Sequence, residues 1–298
     1  MSFDFRPGTL EDSYTVFRVF YDSIADFADR YCFGEWSRDP QVIDGLWDIR
    51  RQLYEHLAQT EEQFWLAYKY DRLAGYARSI LRDGLLELTE LFVHPDSQSV
   101  GLGQELFKRV FPGEGGNRKV IIATTEVRAL ARYLKAGVYA RFPIYAFSRE
   151  PRELDLQSDL EFLPLTGSDE DFNSLRIIDR RVLDHTRDAD HTFWIATKQG
   201  FLYRRDGQAV GYGYIDRDGG PFALLNEEDF PAVLTHAERE ASQMSDGFYL
   251  EVPLINKFAV DHLISNGYEL SSFLSLFMSD EPFGQFDHYI IPSPPFFL

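Results

Sequence analysis

The alternation of apolar and polar positions separates helical from extended stretches along this chain. From Glu11 to about Arg30, apolar side chains recur at Tyr14, Phe17, Val19, Phe20, Ile24 and Phe27, a largely helical spacing that predicts an amphipathic helix. Asp39 and Pro40 open a second helix running to about Ala58, with the proline in the first turn, where its missing N–H costs nothing. Gly103 to Phe111 reads as a third, stopped by Pro112 and Gly113. Residues 64–77 read as a β-hairpin, with aromatic and β-branched runs either side of a polar turn at Asp71. Leu85 to Val93 reads as a buried strand.

The same patterns return later in the chain. Phe5, Pro7, Thr9 and Asp12 have partners in Phe162, Pro164, Thr166 and Asp169. The hairpin that reaches Gly75 and Tyr76 has a partner that reaches Gly211 and Tyr212. Ala129, Tyr133, Gly137 and Val138 match Ala259, Leu263, Gly267 and Tyr268 with identical spacing, each a short helix ending at a glycine. Three matches in one order, at offsets of 157, 136 and 130, indicate a diverged duplication. Residues 149–158, charged and interrupted by Pro151, read as the linker. The expected fold class is α+β, with one unit over residues 1–150 and a second over 159–298.

Composition narrows the function. The 298 residues include 48 acidic and 30 basic side chains, a formal net charge of −18. That balance argues against nucleic acid as a partner, since phosphate neutralisation needs clustered Lys and Arg, and it favours cationic small molecules. With one cysteine, Cys32, no intramolecular disulfide and no paired-cysteine metal site can form. No apolar run is long enough to span a membrane, and the first residues lack a signal-peptide pattern, so a cytoplasmic protein without a resident metal is expected.

The chemistry concentrates after the strand ending at Val93. His94-Pro95 leads into a loop, Gln98 to Gly103, that opens the third helix. The first N–H groups of a helix have no partners within it, and the dipole favours negative charge there. Glycines at 101 and 103 let a bulky anion approach the main chain, and no acidic residue occurs from Ser97 through Gln104. The loop lacks the lysine of a nucleotide-triphosphate motif and the third glycine of a dinucleotide motif.

Gln98-x-x-Gly101-x-Gly103, following Leu91-Phe92-Val93-His94-Pro95, resembles the pyrophosphate-binding motif of the GCN5-related N-acetyltransferases (GNAT). The stretch from Ala129 through Tyr133 and Lys135 to Gly137 resembles that family's closing pattern. The resemblance covers residues 3–150, and implies tandem GNAT-like domains with a degenerate second copy. It further implies acetyl-CoA as donor and a small-molecule amine as acceptor. It assigns the donor's pyrophosphate to Gln98, Ser99, Val100, Gly101, Leu102, Gly103 and Gln104, and pairs its pantetheine arm with the strand at Leu91, Phe92 and Val93. By the same resemblance Tyr133 matches the acid that protonates the departing thiolate, and Glu87 a general base. Glu90 is the substitute base; in a regular strand it points away from Glu87, and a bulge would reverse that. The C-terminal carboxylate of Leu298 is a further candidate, because the tail from Pro292 is unusually apolar and is expected to pack into a groove.

In the second copy the corresponding loop carries Glu227, Glu228 and Asp229, which repel phosphate, and Leu263 stands where the first copy has Tyr133. That copy is expected to shape the acceptor site rather than bind CoA. His185, Asp188, Asp190 and His191 form a conceivable metal cluster, but the spacing fits an ordinary polar loop better. Two alternatives stay open: an acyl-CoA-binding module without turnover, and a tandem acetyltransferase of thiol biosynthesis.

Overall fold

The chain begins with β1 (Asp4–Pro7), and a 3-10 turn at Leu10–Asp12 precedes α1 (Ser13–Tyr31). Asp12 sets that start: its carboxylate accepts the Thr9 N–H at 2.9 Å and grips Arg6. Next comes α2 (Pro40–Gln59), capped by Asp39, whose Oδ1 accepts the Gln41 N–H at 2.9 Å. Strands β2 (Glu61–Lys69), β3 (Arg72–Arg82) and β4 (Leu85–Val93) follow as an antiparallel meander. After α3 (Leu102–Val110), β5 (Arg118–Thr124) pairs parallel with β4, and α4 (Val127–Lys135) closes the segment. This computed structural model describes residues 3–294 and 298.

The chain divides into two units, one holding residues up to Ile122 together with Glu126–Tyr139, the other Ala123–Thr125 and Ala140–Leu298. In the first unit the strand order is β1-β2-β3-β4-β5. One face of that sheet packs on α1 and α2, through Val16, Phe17, Tyr54, Leu66 and Tyr76. On the other face α3 comes close over Gly75, where a Cβ would lie 3.3 Å from the Leu106 side chain.

The second unit starts earlier than the charged linker suggests. Strand β6 (Tyr139–Arg149) pairs antiparallel with β12 (Phe248–Pro253), from Ile144 opposite Pro253 to Arg149 opposite Phe248. Cross-strand hydrogen bonds, invisible in a linear composition shift, therefore carry the last strand of the first repeat into the second unit. The rest of the second unit repeats the first. It runs β7 (Glu161–Pro164), α5 (Asp169–Val182), α6 (Asp188–Thr197), β8 (Gln199–Arg205), β9 (Gln208–Ile215), β10 (Asp218–Gly219) and β11 (Phe222–Leu224). Then follow α7 (Phe230–Ala241), β12, α8 (Lys257–Ser265), β13 (Glu269–Ser279) and β14 (Tyr289–Ile290). Its strands lie in the orders β13-β6-β12-β10 and β14-β11-β9-β8-β7. Phe222, Phe230, Leu234, Phe248 and Leu263 are among its core.

Local hydrogen bonds bear out the repeat. Val138 N–H bonds Tyr133 O at 3.1 Å and Gly137 N–H bonds Leu134 O at 3.1 Å; Tyr268 and Gly267 bond Leu263 and Ile264 at 3.0 and 3.1 Å. Both helices thus end in the same left-handed glycine cap. At the start of the repeat, Asp171 rather than Asp169 performs the part of Asp12, accepting the Thr166 N–H at 2.8 Å.

The segment read as an ordinary polar loop, His185 to His191, is not one. It turns into α6, and His185, Arg187, Asp190 and His191 are all buried. His191 Nε2 meets Asp179 at 2.8 Å, and Arg187 reaches the hydroxyls of Tyr212 and Tyr289 at 2.6 and 2.7 Å. Burial alone raises the Asp179 carboxyl, but the charges of Arg187 and His191 outweigh it and hold it well below the usual range. The partners come from α5, β9 and β14, so nothing in the local spacing announced them.

His236 on α7 stacks on Phe162 at 4.1 Å, and burial, aided by the charge of Arg239, pushes its imidazole down to about 4. Between that value and the ordinary 6.5 the unfolded chain binds the proton that the folded unit refuses, so stability falls as pH falls through this window. Urea midpoints should therefore drop from pH 7 to pH 4.5, and His236→Phe should flatten part of that slope. A variant with the wild-type slope would show that His236 does not contribute.

Candidate active site

Strand β4 pairs with β5 only from Leu85 opposite Arg118 to Leu88 opposite Ile121. Beyond Leu88 that side of β4 has no ladder partner within the first unit. The bond from His94 N–H to Ala74 O, at 2.9 Å, fixes the alternation with β3. By that alternation the N–H and C=O of Leu91 and Val93 point away from β3, along the open side, while those of Phe92 are bound in the sheet.

The open edge leads to the loop. His94 starts a 3-10 turn at Pro95–Ser97, Ser99 has φ 66° and Gly101 has φ 87°. Gly101 caps α3 from the left-handed region, which an L side chain enters only at a cost. The N–H groups of Gln104 and Glu105 return to Gly101 O, whereas those of residues 99–103 enter no backbone hydrogen bond among the described residues. A strip of main-chain donors is thus free at the start of a helix, a seat for an anion.

Two arginines one turn apart on α4 support this seat, and sequence reasoning missed both. Arg128 donates to Gln98 Oε1 and Ser99 Oγ, each at 2.8 Å, and Gln98 Nε2 in turn bonds Val93 O at 3.2 Å. Arg132 brings a guanidinium nitrogen to 3.0 Å from where a Cβ on Gly103 would sit. Glu126 steadies Arg128 at 2.9 Å and also takes Arg30 at 2.9 Å. Burial alone would raise its carboxyl, but the hydrogen bonds from Arg128 and Arg30 outweigh it and hold it at about 2. The four-residue spacing of Arg128 and Arg132, with Lys135 three further on, was the available signal: one basic face on a short helix.

The candidate bases share one face of β4. The register shifts by one residue between Arg78 and Ser79, so that Arg78 lies opposite Glu90 and Ile80 opposite Glu87. This bulge at Thr89 cancels the odd spacing and turns both carboxylates toward the side of α1 and α2. There they part company. Glu90 is locked: its Oε1 accepts the Tyr76 hydroxyl at 2.7 Å, its Oε2 accepts Arg78 Nε at 2.8 Å, and both members of the ion pair are fully buried. Arg78 also donates to Tyr54 O at 3.1 Å. Glu87 is buried too, opposite Ile80.

Tyr133 faces α3, its ring 5.7 Å from that of Phe107. Burial pushes its hydroxyl up to about 12, against the opposing charge of Arg132. Between α3 and α4 lies a cavity of about 230 Å³, lined by Gln104, Phe107, Lys108, Phe111, Arg132 and Lys135 among others. Leu298 is buried in the second unit, where its main chain lies against His185. The tail positions 295–297 fall outside the described residues. In the second unit the acidic turn Glu227–Asp229 stands where the loop would be, with Asp229 bound to Arg205 at 2.8 Å.

Residues 46–139 match the family described as acetyltransferase (GNAT) domain. No curated protein sequence matches the chain. Among solved structures it is similar to a putative acetyltransferase from Pyrococcus horikoshii, at 14% identity and a TM-score of 0.75, covering 96% of this chain and 92% of that one. It is also similar to a tandem GNAT protein from the clavulanic acid biosynthesis pathway (12% identity, TM-score 0.59, 95% and 100% covered). A GCN5-related N-acetyltransferase from Sphaerobacter thermophilus matches at 13% identity and a TM-score of 0.61, over 94% and 96% of the chains. The chain has the tandem GNAT fold, and residues 46–139 of its first unit match the acetyltransferase (GNAT) domain. Among the described residues no helix is long and apolar enough to cross a membrane.

Proposed function

We propose that the first unit binds acetyl-CoA along the open edge of β4 and transfers its acetyl group to the amine of a small, cationic acceptor. The parting of β4 from β5 after Leu88 carries this reading. It leaves the main chain of Leu91 and the Val93 N–H to pair with an amide-bearing arm, in line with the donors of residues 99–103 for a pyrophosphate, while Val93 O already accepts from Ser23 Oγ and Gln98 Nε2, each at 3.2 Å. The cavity between α3 and α4 adjoins that loop through Gln104 and Arg132, and its two phenylalanines and three cations suit a phosphorylated nucleoside. The bound donor supplies an acyl thioester.

Glu87 takes a proton from the acceptor's ammonium group, without which nitrogen has no lone pair for attack. As the new C–N bond forms and the C–S bond breaks, Tyr133 gives its hydroxyl proton to sulfur, and the second proton leaving the acylated nitrogen restores the phenol. A phenol held near 12 stays protonated at neutral pH and is available for that step. The Val93 N–H, on the open side, suits a developing oxyanion. The second unit lacks this equipment: its loop is acidic and Leu263 replaces the tyrosine. It serves as a structural or acceptor-shaping domain.

Calorimetry on the full chain tests the reading. One acetyl-CoA should bind per chain, more tightly than its analogue lacking the 3′-phosphate, and CoA release with an amine panel should follow. Gly101→Glu should abolish binding in a protein that still folds, because it places a carboxylate among the phosphate donors. Two equivalent sites per chain, or unchanged affinity in Gly101→Glu, would refute the assignment; binding without turnover on any amine would favour a binding module.

A further inference from the structure

We propose that the second unit holds one first-row divalent transition-metal ion at Glu227, Asp287 and His288. The ligand atoms of these three side chains lie within 4.8 Å of one another, and all three residues are half-buried. They come from two turns that the fold brings to the same end of one strand pair. Strands β11 and β14 are antiparallel, with Phe222 opposite Ile290 and Ala223 opposite Tyr289. The chain therefore leaves β11 into the turn Glu227–Asp229 just where the turn Phe286–His288 delivers it to β14. The ladder fixes the distance between the two turns without any help from an ion.

The imidazole is oriented as a metal ligand would be. His288 Nδ1 lies 2.9 Å from Leu224 O on the neighbouring strand. A carbonyl oxygen can only accept, so Nδ1 carries a proton, and in the neutral ring the lone pair is on Nε2. A backbone carbonyl behind the ring is the usual orienting partner of a metal-bound histidine. With metal–ligand bonds of about 2.0–2.2 Å, donors in a tetrahedral shell stand about 3.3–3.6 Å apart, so side-chain movement on the order of 1 Å draws the three onto one ion and leaves its fourth position to water. One nitrogen and two carboxylates select zinc, manganese or their neighbours over calcium and magnesium, which prefer oxygen alone. Two anionic ligands also neutralise the ion in an already acidic chain.

The site is separate from the proposed donor site, and its test does not involve acetyl transfer. The full chain, stripped with EDTA and dialysed, is titrated with Zn²⁺ and, separately, Mn²⁺ and Mg²⁺ by calorimetry, and melted with and without each ion. One Zn²⁺ or Mn²⁺ per chain is expected at micromolar affinity or better, with a melting rise on the order of 5 °C at saturation. His288→Ala and Asp287→Asn should each weaken binding at least about tenfold while melting like the metal-free wild type. Should His288→Ala alter the metal-free melt, Asp287→Asn alone decides. Absence of binding, equal affinity for Mg²⁺, or wild-type affinity in the variants would overturn the proposal, the last by placing the ion elsewhere on the acidic surface.

Discussion

On the proposed mechanism, Glu87→Gln should lower turnover about 10²–10⁴-fold while acetyl-CoA binds as in the wild type. Glutamine keeps the shape and loses the capacity to accept a proton, so the loss should fall on kcat rather than on donor affinity. Tyr133→Phe should lower turnover likewise, by removing the proposed proton donor and leaving the ring against Phe107. Steady-state rates across pH 6–9, beside a binding titration, check both. Wild-type turnover in Glu87→Gln moves the base elsewhere, and the Leu298 carboxylate is then the next group to remove, because Glu90 is already committed to Arg78.

Glu90→Ala should destabilise the first unit by about 3–5 kcal/mol, the cost of leaving a buried guanidinium without its partner. Arg78 and Glu90 are both fully buried, and Tyr76 and the Tyr54 carbonyl complete their hydrogen bonds. The double variant Arg78→Met/Glu90→Leu should recover most of the loss, since removing both charges also removes both desolvation penalties. Denaturant unfolding of the three proteins measures it. A single variant costing less than about 1 kcal/mol would mean that water reaches the pair. The two carboxylates, three positions apart on one strand, thus make opposite predictions: Glu87 fails in rate, Glu90 in stability.

Much of this was legible in the chain. Helical spacing located α1, and the aspartate-proline start located α2 to the residue at its cap. The glycine loop stood out because main-chain donors stay open only where no side chain is in the way, a demand that local sequence must meet. The repeat survived because caps and hairpins are short-range devices. The bulge at Thr89 was foreseeable only as a condition, since register depends on which residue of β3 lies opposite. Arg128 and Arg132 carried a helical spacing that could have been read; their aim at residues 98–103 could not.

The sequence by itself determined the α+β class, the two copies, the loop at Gln98–Gly103 and the loss of that loop from the second copy. All of these rest on residues that act within a few positions of one another. Only the tertiary structure decided which carboxylate is paired with Arg78, that residues 185–191 form a buried network rather than a loop, and that residues 140–149 belong with the second unit. Each of those is settled by a partner tens of residues away, through burial and cross-strand hydrogen bonds, and no periodicity along the chain records a partner's identity.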